Sequence, residues 1–309
     1  LLAIWVASFQ IILDKGQQED WLASAFIRTL LVIGIIGLVI FVMRELMTDE
    51  PLVNLRILKN RNFATGVLLM GLVGAILYGS IALLPLYLQE LLGYSAYMSG
   101  LTTSPRGFGS IVGMILVGRL LGILDGRMLI FFGFCILTWS NWIFGHLSLD
   151  VAPTNVIWPN IWNGFGTALI FVPLTTLTMG TLRNDQMGNA TGIFNLMRNL
   201  GGGIGIAIVT TFLARGVQSH QANMIAHVTP YNPVYQHQLP IIQHALSGQV
   251  GSYEGHKMAY GVLYGIVQQQ ASLSSYIDNF HLMTWASLLC IPAILLFKRA
   301  SRKGPVNVH

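Results

Sequence analysis

Arg106 is the residue whose type and position most invite chemistry. It lies in "LTTSPRGFGSIVG", Leu101–Gly113, inside the apolar run Ala96–Leu124. It is ten residues from the start of that run, roughly 15 Å at the helical rise. Its neighbours at helical spacing are Ser99, Thr102, Thr103, Gly109 and Ser110, with Gly113 beyond, so a polar and small stripe accompanies the charge. Leu101, Phe108, Val112 and Ile115 occupy the opposite face. A charge at such depth turns toward a cavity or a helix interface rather than lipid. Pro105 removes a backbone donor and predicts a kink beside it. In one reading Arg106 is a cavity cation that attracts an anionic or polar cargo group, or pairs with a carboxylate from another helix. In the other it is a structural arginine held by carbonyls or a fixed ion pair.

Further polar groups in apolar runs suggest the rest of such a cavity. Asn160, Asn163, Gly164 and Thr167 share a helical face, followed by Pro173, Thr175 and Thr176. Another run carries Tyr78, Ser80 and Pro85. The candidate cavity residues are Arg106, Thr103, Ser110, Tyr78, Asn160, Asn163 and Thr167. Arg198, flanked by Asn195 and Asn199, reads as a structural or gating ion pair rather than a cargo contact. The glycines at 201, 202, 203 and 205 lack the dinucleotide-binding spacing, because Ile206 stands where the third glycine would be. They read as a close-packing helix surface.

The elements that position these groups follow from composition. Hydrophobic residues make up 53% of the chain and charged residues 9%, against about 25% charged in soluble domains. The apolar residues cluster into bilayer-spanning lengths. The fold class is an all-α polytopic membrane protein, with eight segments: Leu1–Leu13, Phe26–Met43, Phe63–Leu88, Ala96–Leu124, Met128–Leu147, Val156–Leu182, Gly192–Leu213 and Phe280–Phe297. Connections rich in Lys and Arg alternate with connections poor in them, and the positive-inside rule places the basic set and the C-terminus in the cytoplasm. Pro51–Phe63 reads as a basic amphipathic helix on that face. Ala214–Asn279 reads as a long external loop, with an amphipathic helix over Met258–Tyr276. Its histidines 220, 227, 237, 244 and 256 fit no compact zinc motif. No metal site is expected, and a solvated or partner surface is the favoured reading.

All twelve acidic residues fall in loops or at helix ends. A proton-driven transporter keeps an intramembrane carboxylate or histidine as its relay; in that reading the relay lies outside this chain. The chain opens on Leu1-Leu2-Ala3-Ile4-Trp5 without an initiator Met, and is expected to be a piece of a longer protein. Its first run lacks the features of a signal peptide. Cys135 and Cys290, in separate runs, read as packing residues. No nucleophile–base pair, HExxH, Walker motif or metal-ligand cluster argues for an enzyme. The net charge of +5 is sorted to one side of the membrane and is no nucleic-acid signal.

Six stretches, "FQIILDKGQQEDWLAS" (Phe9–Ser24), "PLVNLRILKNRNF" (Pro51–Phe63), "LLPLYLQELLGYSAYMSGL" (Leu83–Leu101), "VGRLLGILDGRMLI" (Val117–Ile130), "VPLTTLTMGTL" (Val172–Leu182) and "QQQASLSSYIDNF" (Gln268–Phe280), resemble in order the EmrB/QacA branch of the major facilitator superfamily. Members are fourteen-helix drug:proton antiporters, and the EmrB side is the more similar. The resemblance implies two six-helix bundles with an extra helix pair between them. On that map residues 1–46 are the extra pair with its first helix truncated, 47–62 a cytoplasmic amphipathic linker, 63–298 the C-terminal six-helix bundle including the external loop 214–279, and 299–309 a cytoplasmic tail. The absent N-terminal bundle would carry the acidic coupling residues.

The segment from Gly118 to Arg127 resembles a degenerate second copy of the family's loop motif. Gly118, Arg119, Asp125 and Arg127 match, while Gly122-Ile123 replaces the usual Asp-Arg pair. A gating role and a plain structural turn both remain open for it. The resemblance further implies a bacterial inner membrane location and no cofactor, with the proton gradient as energy source. It also implies a small-molecule substrate and, for the EmrB type, a periplasmic adaptor protein with an outer-membrane channel. The expected function is export of amphipathic small molecules or drugs in exchange for protons. The alternatives are a dedicated exporter of one organic anion or metabolite, and a non-transporting membrane scaffold.

Overall fold

A computed structural model describes residues 1–48, 53–229 and 231–297. Among these the chain is built of helices, with no strand. They are α1 (Leu2–Lys15), α2 (Ala25–Met47), α3 (Arg61–Leu86), α4 (Ala96–Thr103), α5 (Pro105–Leu120), α6 (Gly126–Phe144), α7 (Pro153–Met179), α8 (Met187–His227), α9 (Pro233–Val250) and α10 (Ser252–Ala293). Side-chain caps mark several starts. Asn60 Oδ1 accepts from the N–H groups of Asn62 and Phe63 at 3.0 and 3.3 Å, and Ser95 Oγ accepts from Met98 N–H at 3.3 Å. Each satisfies donors that a helix end leaves free.

Five helices or helix-plus-turn units among the described residues are long and apolar enough to cross a bilayer: Ala25–Met47, Arg61–Leu91, Gly126–Phe144, Pro153–Met179 and Asn184–His227. α2 is apolar on all sides, and only Ile27, Gly37, Phe41 and Glu45 of it are buried. An all-round apolar helix needs a hydrocarbon or protein environment on every face.

Glycines set the packing of the bundle. α3 and α8 run parallel, because Gly71 meets Gly201 while Ala75 meets Gly205 further along both helices. A Cβ on Gly74 would strike the Arg198 carbonyl, and one on Gly201 the Gly71 carbonyl. α5 and α7 pack the same way: Gly109 lies against the Ile161 carbonyl and Gly164 against the Arg106 carbonyl. Without a hydrophobic driving force between helices in lipid, such backbone-to-backbone approach supplies the van der Waals contact that holds them. One apolar cluster, with Phe63, Met70, Phe134, Ile170 and Phe194, fills the end near the start of α3. A second, with Leu84, Tyr87, Phe144, Tyr276 and Phe280, fills the other end.

Three departures from the sequence reading stand out. The run Ala96–Leu124 is two helices, α4 and α5, broken at Ser104–Pro105. Ala214–Asn279 is largely helical rather than a loop: α8 extends to His227, α9 follows, and α10 is continuous from Ser252 into the last apolar segment. The helix expected over Met258–Tyr276 lies inside α10. At 41 and 42 residues, α8 and α10 are each about 60 Å long, twice a hydrocarbon core of about 30 Å. Their polar extensions meet through His220 Nε2 to Asp278 Oδ2 at 2.7 Å and Gln221 Nε2 donating to Tyr264 Oη at 2.7 Å. Third, the linker forms a single short turn, Leu55–Lys59, capped by Asn54, whose side chain accepts from Arg56 N–H at 3.1 Å. Pro51 and Leu52 of the expected amphipathic helix, and the tail 299–309, lie outside the described residues.

Candidate functional site: a polar cavity at a broken helix

Pro105 starts the site. Lacking an N–H, it cannot donate to the Leu101 carbonyl one turn earlier. Ser104 Oγ donates to that carbonyl instead, at 3.1 Å. Gly107 N–H bonds the Ser104 carbonyl at 2.9 Å, which leaves the Thr103 carbonyl without its usual helical donor. Asn160 of α7 fills the gap, its Nδ2 donating to Thr103 O at 2.7 Å. The break is therefore satisfied by side chains, as a freed backbone group in a membrane helix must be. It also ties α4 to α7.

Below the break, Ser110 Oγ is 3.1 Å from both the Arg106 and the Gly164 carbonyls. Thr103 Oγ1 donates to Ser99 O at 2.9 Å, and Thr167 Oγ1 to Asn163 O at 2.8 Å. These hydroxyls line a cavity of about 470 Å³ between α3, the α4–α5 break and α7. Its walls include Ser80, Ile81 and Pro85 of α3, with Thr103, Arg106, Ser110, Asn160 and Thr167. Arg106 Nη2 is buried there without a hydrogen-bond partner. Among the described residues no Asp or Glu lies within ion-pair distance of it. An unneutralised charge in such a place is costly. Leu101, Phe108, Val112 and Ile115 of the opposite face are exposed, as lipid contact requires.

Five of the seven candidate cavity residues are thus brought together, and two are not. Asn163 is fully buried between α6 and α7, where its Nδ2 reaches Asn141 Oδ1 at 3.5 Å. Tyr78 packs its ring on Gly202 of α8. Ser80 is the residue of that segment that reaches the cavity. Residues two positions apart on a helix differ by about 200° in direction, so Tyr78 and Ser80 could not both face inward. Ser104, with its hydroxyl on Leu101 O, was also outside the candidate set. Its place immediately before the proline was the available signal.

The loop-motif residues lie apart from the cavity. Asp125 caps α6, its Oδ1 accepting from Arg127 N–H at 3.1 Å. Gly118 and Arg119 are exposed at the end of α5, and no ion pair joins Asp125 to either arginine among the described residues. Arg127 faces a crevice between α6 and the end of α10. Arg198, expected in an ion pair, has no carboxylate partner among the described residues. Its guanidinium carbon lies 5.6 Å from the ring centre of Phe171 instead, so the cation meets an aromatic face of α7. Near the far end of α3 the chain passes into one wide turn, Tyr87–Leu91. There Tyr87 Oη donates to Ser148 O at 2.8 Å, and Tyr276 Oη lies 3.3 Å from Glu90 Oε2.

A family model described as Major Facilitator Superfamily matches residues 14–206. The fatty acid resistance protein FarB of Neisseria gonorrhoeae is 30% identical over 98% of this chain and 59% of its own length. The multidrug export protein EmrB of Escherichia coli strain K12 is 32% identical over 93% of this chain and 54% of its own length. The colistin resistance protein EmrB of Acinetobacter baumannii is 27% identical over 97% of this chain and 56% of its own. The chain therefore spans a little over half the length of these relatives.

Proposed function

The chain belongs to the major facilitator superfamily, in the EmrB/QacA-type branch of multi-pass drug exporters, and from that premise we propose that the protein it forms part of exports amphipathic small molecules in exchange for protons. The cavity at the α4–α5 break is the cargo site in this half. The helix break suits alternating access, in which binding sites lie at discontinuous helices near the bilayer midplane. No cofactor enters, and the proton gradient supplies the energy. Glu45, the buried carboxylate of α2, is engaged with Val53 N–H at 3.0 Å, so the proton carrier is assigned to the remainder of the protein. The location is the bacterial inner membrane, with the C-terminus in the cytoplasm. The extensions of α8 and α10 with α9 form the surface assigned to a periplasmic adaptor, itself leading to an outer-membrane channel.

One observation favours a narrower cargo. The unpartnered Arg106 guanidinium suits an organic anion with an apolar body, a class to which the fatty acids of FarB's name belong. The test is uptake into inverted membrane vesicles containing the full-length protein, with an apolar carboxylic acid and a lipophilic cation as parallel cargoes. An uncoupler should abolish both fluxes. Arg106→Gln should lower transport of the acid about tenfold or more, the scale of one lost charge-assisted hydrogen bond, and spare the cation. Flux that survives the uncoupler rejects proton coupling. Unchanged transport of both cargoes by Arg106→Gln removes the arginine from the site.

A further inference from the structure

A second cavity, of about 440 Å³, opens between the α1–α2 pair and the α3–α8 pair. Its walls are apolar, with Trp5 and Ile12 of α1, Leu38 of α2, Leu68 and Leu72 of α3, and Ile204 of α8. It touches none of the polar cavity's residues. Leu38 and Leu68 stand six and seven residues from Arg44 and Arg61, roughly 10 Å along each helix. α2 leads into α3 through a short connection, so both arginines are at the same end of the groove, and both are exposed. The turn between them adds Arg56 and Lys59, with Arg56 Nη2 held to Leu46 O at 3.3 Å. Of the acids in this connection, Glu45 is turned inward on Val53 N–H, and Asp49 and Glu50 lie outside the described residues.

We infer that this groove is a binding site for one anionic phospholipid, with an acyl chain between the helix pairs and the phosphate at Arg44 and Arg61. The walls offer one polar side-chain group, the Trp5 indole N–H, which is buried without a partner, so an occupant with several polar groups would leave most of them unpaired. The site lies at membrane depth, where hydrocarbon chains are the available solvent. The basic end gives the occupant its sign, since arginines beside the cytoplasmic leaflet attract anionic headgroups and hold phosphate by paired hydrogen bonds. The bound lipid would join the extra helix pair to the bundle.

The test is photolabelling of the full-length protein in nanodiscs carrying a diazirine-acyl lipid, either phosphatidylglycerol or phosphatidylethanolamine, with labelled peptides read by mass spectrometry. Phosphatidylglycerol should label the Leu31–Leu38 and Leu68–Leu72 segments in preference to phosphatidylethanolamine. Arg44→Gln and Arg61→Gln should each cut that preference about fivefold, the effect of one basic residue at a membrane surface. Ile35→Trp with Leu72→Trp, which enlarges two exposed side chains of the groove wall, should abolish groove labelling by either lipid. Equal labelling by the two lipids overturns the inference, as does groove labelling indifferent to both variant pairs. Displacement of the lipid by an exported hydrophobic compound also overturns it, making the groove a cargo path. Should the tryptophan variant fail to fold, the arginine variants decide.

Discussion

The side-chain amide of Asn160 donates to the main-chain carbonyl of Thr103 at 2.7 Å, from α7 to the last residue of α4. This bond takes the place of a helical N–H that the Pro105 break removes. Asn160 is 1% exposed, so no solvent is at hand to replace it. The bond connects two of the walls of the polar cavity, and its loss should be felt both in stability and in the placement of Arg106 three residues on.

Asn160→Ala is therefore expected to destabilise the protein by about 1–2 kcal/mol, the cost of a buried acceptor left unmade. Asn160→Leu, which keeps the bulk but cannot donate, should behave no better. Thermal unfolding of purified full-length protein in detergent measures the first effect. A melting temperature unchanged in both variants would show that the break does not depend on this bond.

The glycines of α5 and α7 should divide sharply. Gly164→Ala places a methyl on the Arg106 carbonyl and Gly109→Ala one on the Ile161 carbonyl. Each should cost about 1–3 kcal/mol through overpacking against backbone. Gly118→Ala, on the same α5 but with open space at its Cβ, should instead gain up to about 1 kcal/mol from helix propensity. Yield of folded protein and its melting temperature read both directions. Equal behaviour of the three would contradict the helix–helix contact described.

Asp125 offers a separation between capping and gating. Asp125→Asn retains the side-chain oxygen that accepts from Arg127 N–H, whereas Asp125→Ala removes it at a cost of about 1 kcal/mol. If the cap is what matters, the asparagine variant keeps both stability and transport. Transport lost in the asparagine variant, with its melting temperature intact, would assign a gating role to the charge.

Arg198 sits over Phe171. Phe171→Leu keeps apolar bulk but removes the ring, and is expected to cost about 0.5–2 kcal/mol. A double cycle with Arg198→Met isolates the pair. A coupling energy near zero would mean that the cation is held by something other than the ring.

Much of this arrangement was legible before any coordinates. The proline beside a deep arginine marked the break, and the seven-residue spacing of Thr103 and Ser110, and of Asn160 and Thr167, marked the polar faces. Periodicity reports which residues share a face, but it does not report which way the face is turned. Tyr78 and Ser80 illustrate that limit, since each was polar in an apolar helix and only one reached the cavity. The segment 214–279 illustrates another. Its many glutamines and histidines read as solvated chain, because composition does not register that α8 and α10 run on together outside the apolar core.

Apolar runs, their spacing and the distribution of charge were enough to specify a helical membrane protein, because hydrocarbon demands internally bonded backbone, while the likeness to a family rested on six stretches in order. They were also enough to single out Arg106, because a charge in such a run is too costly to be incidental. Whether that charge had a partner was a matter of three-dimensional packing. The fold brings Asn160 to Thr103, Phe171 to Arg198, and no carboxylate among the described residues to Arg106. These are contacts between helices far apart in the chain, set by how glycine-lined surfaces fit together, and no local pattern encodes them.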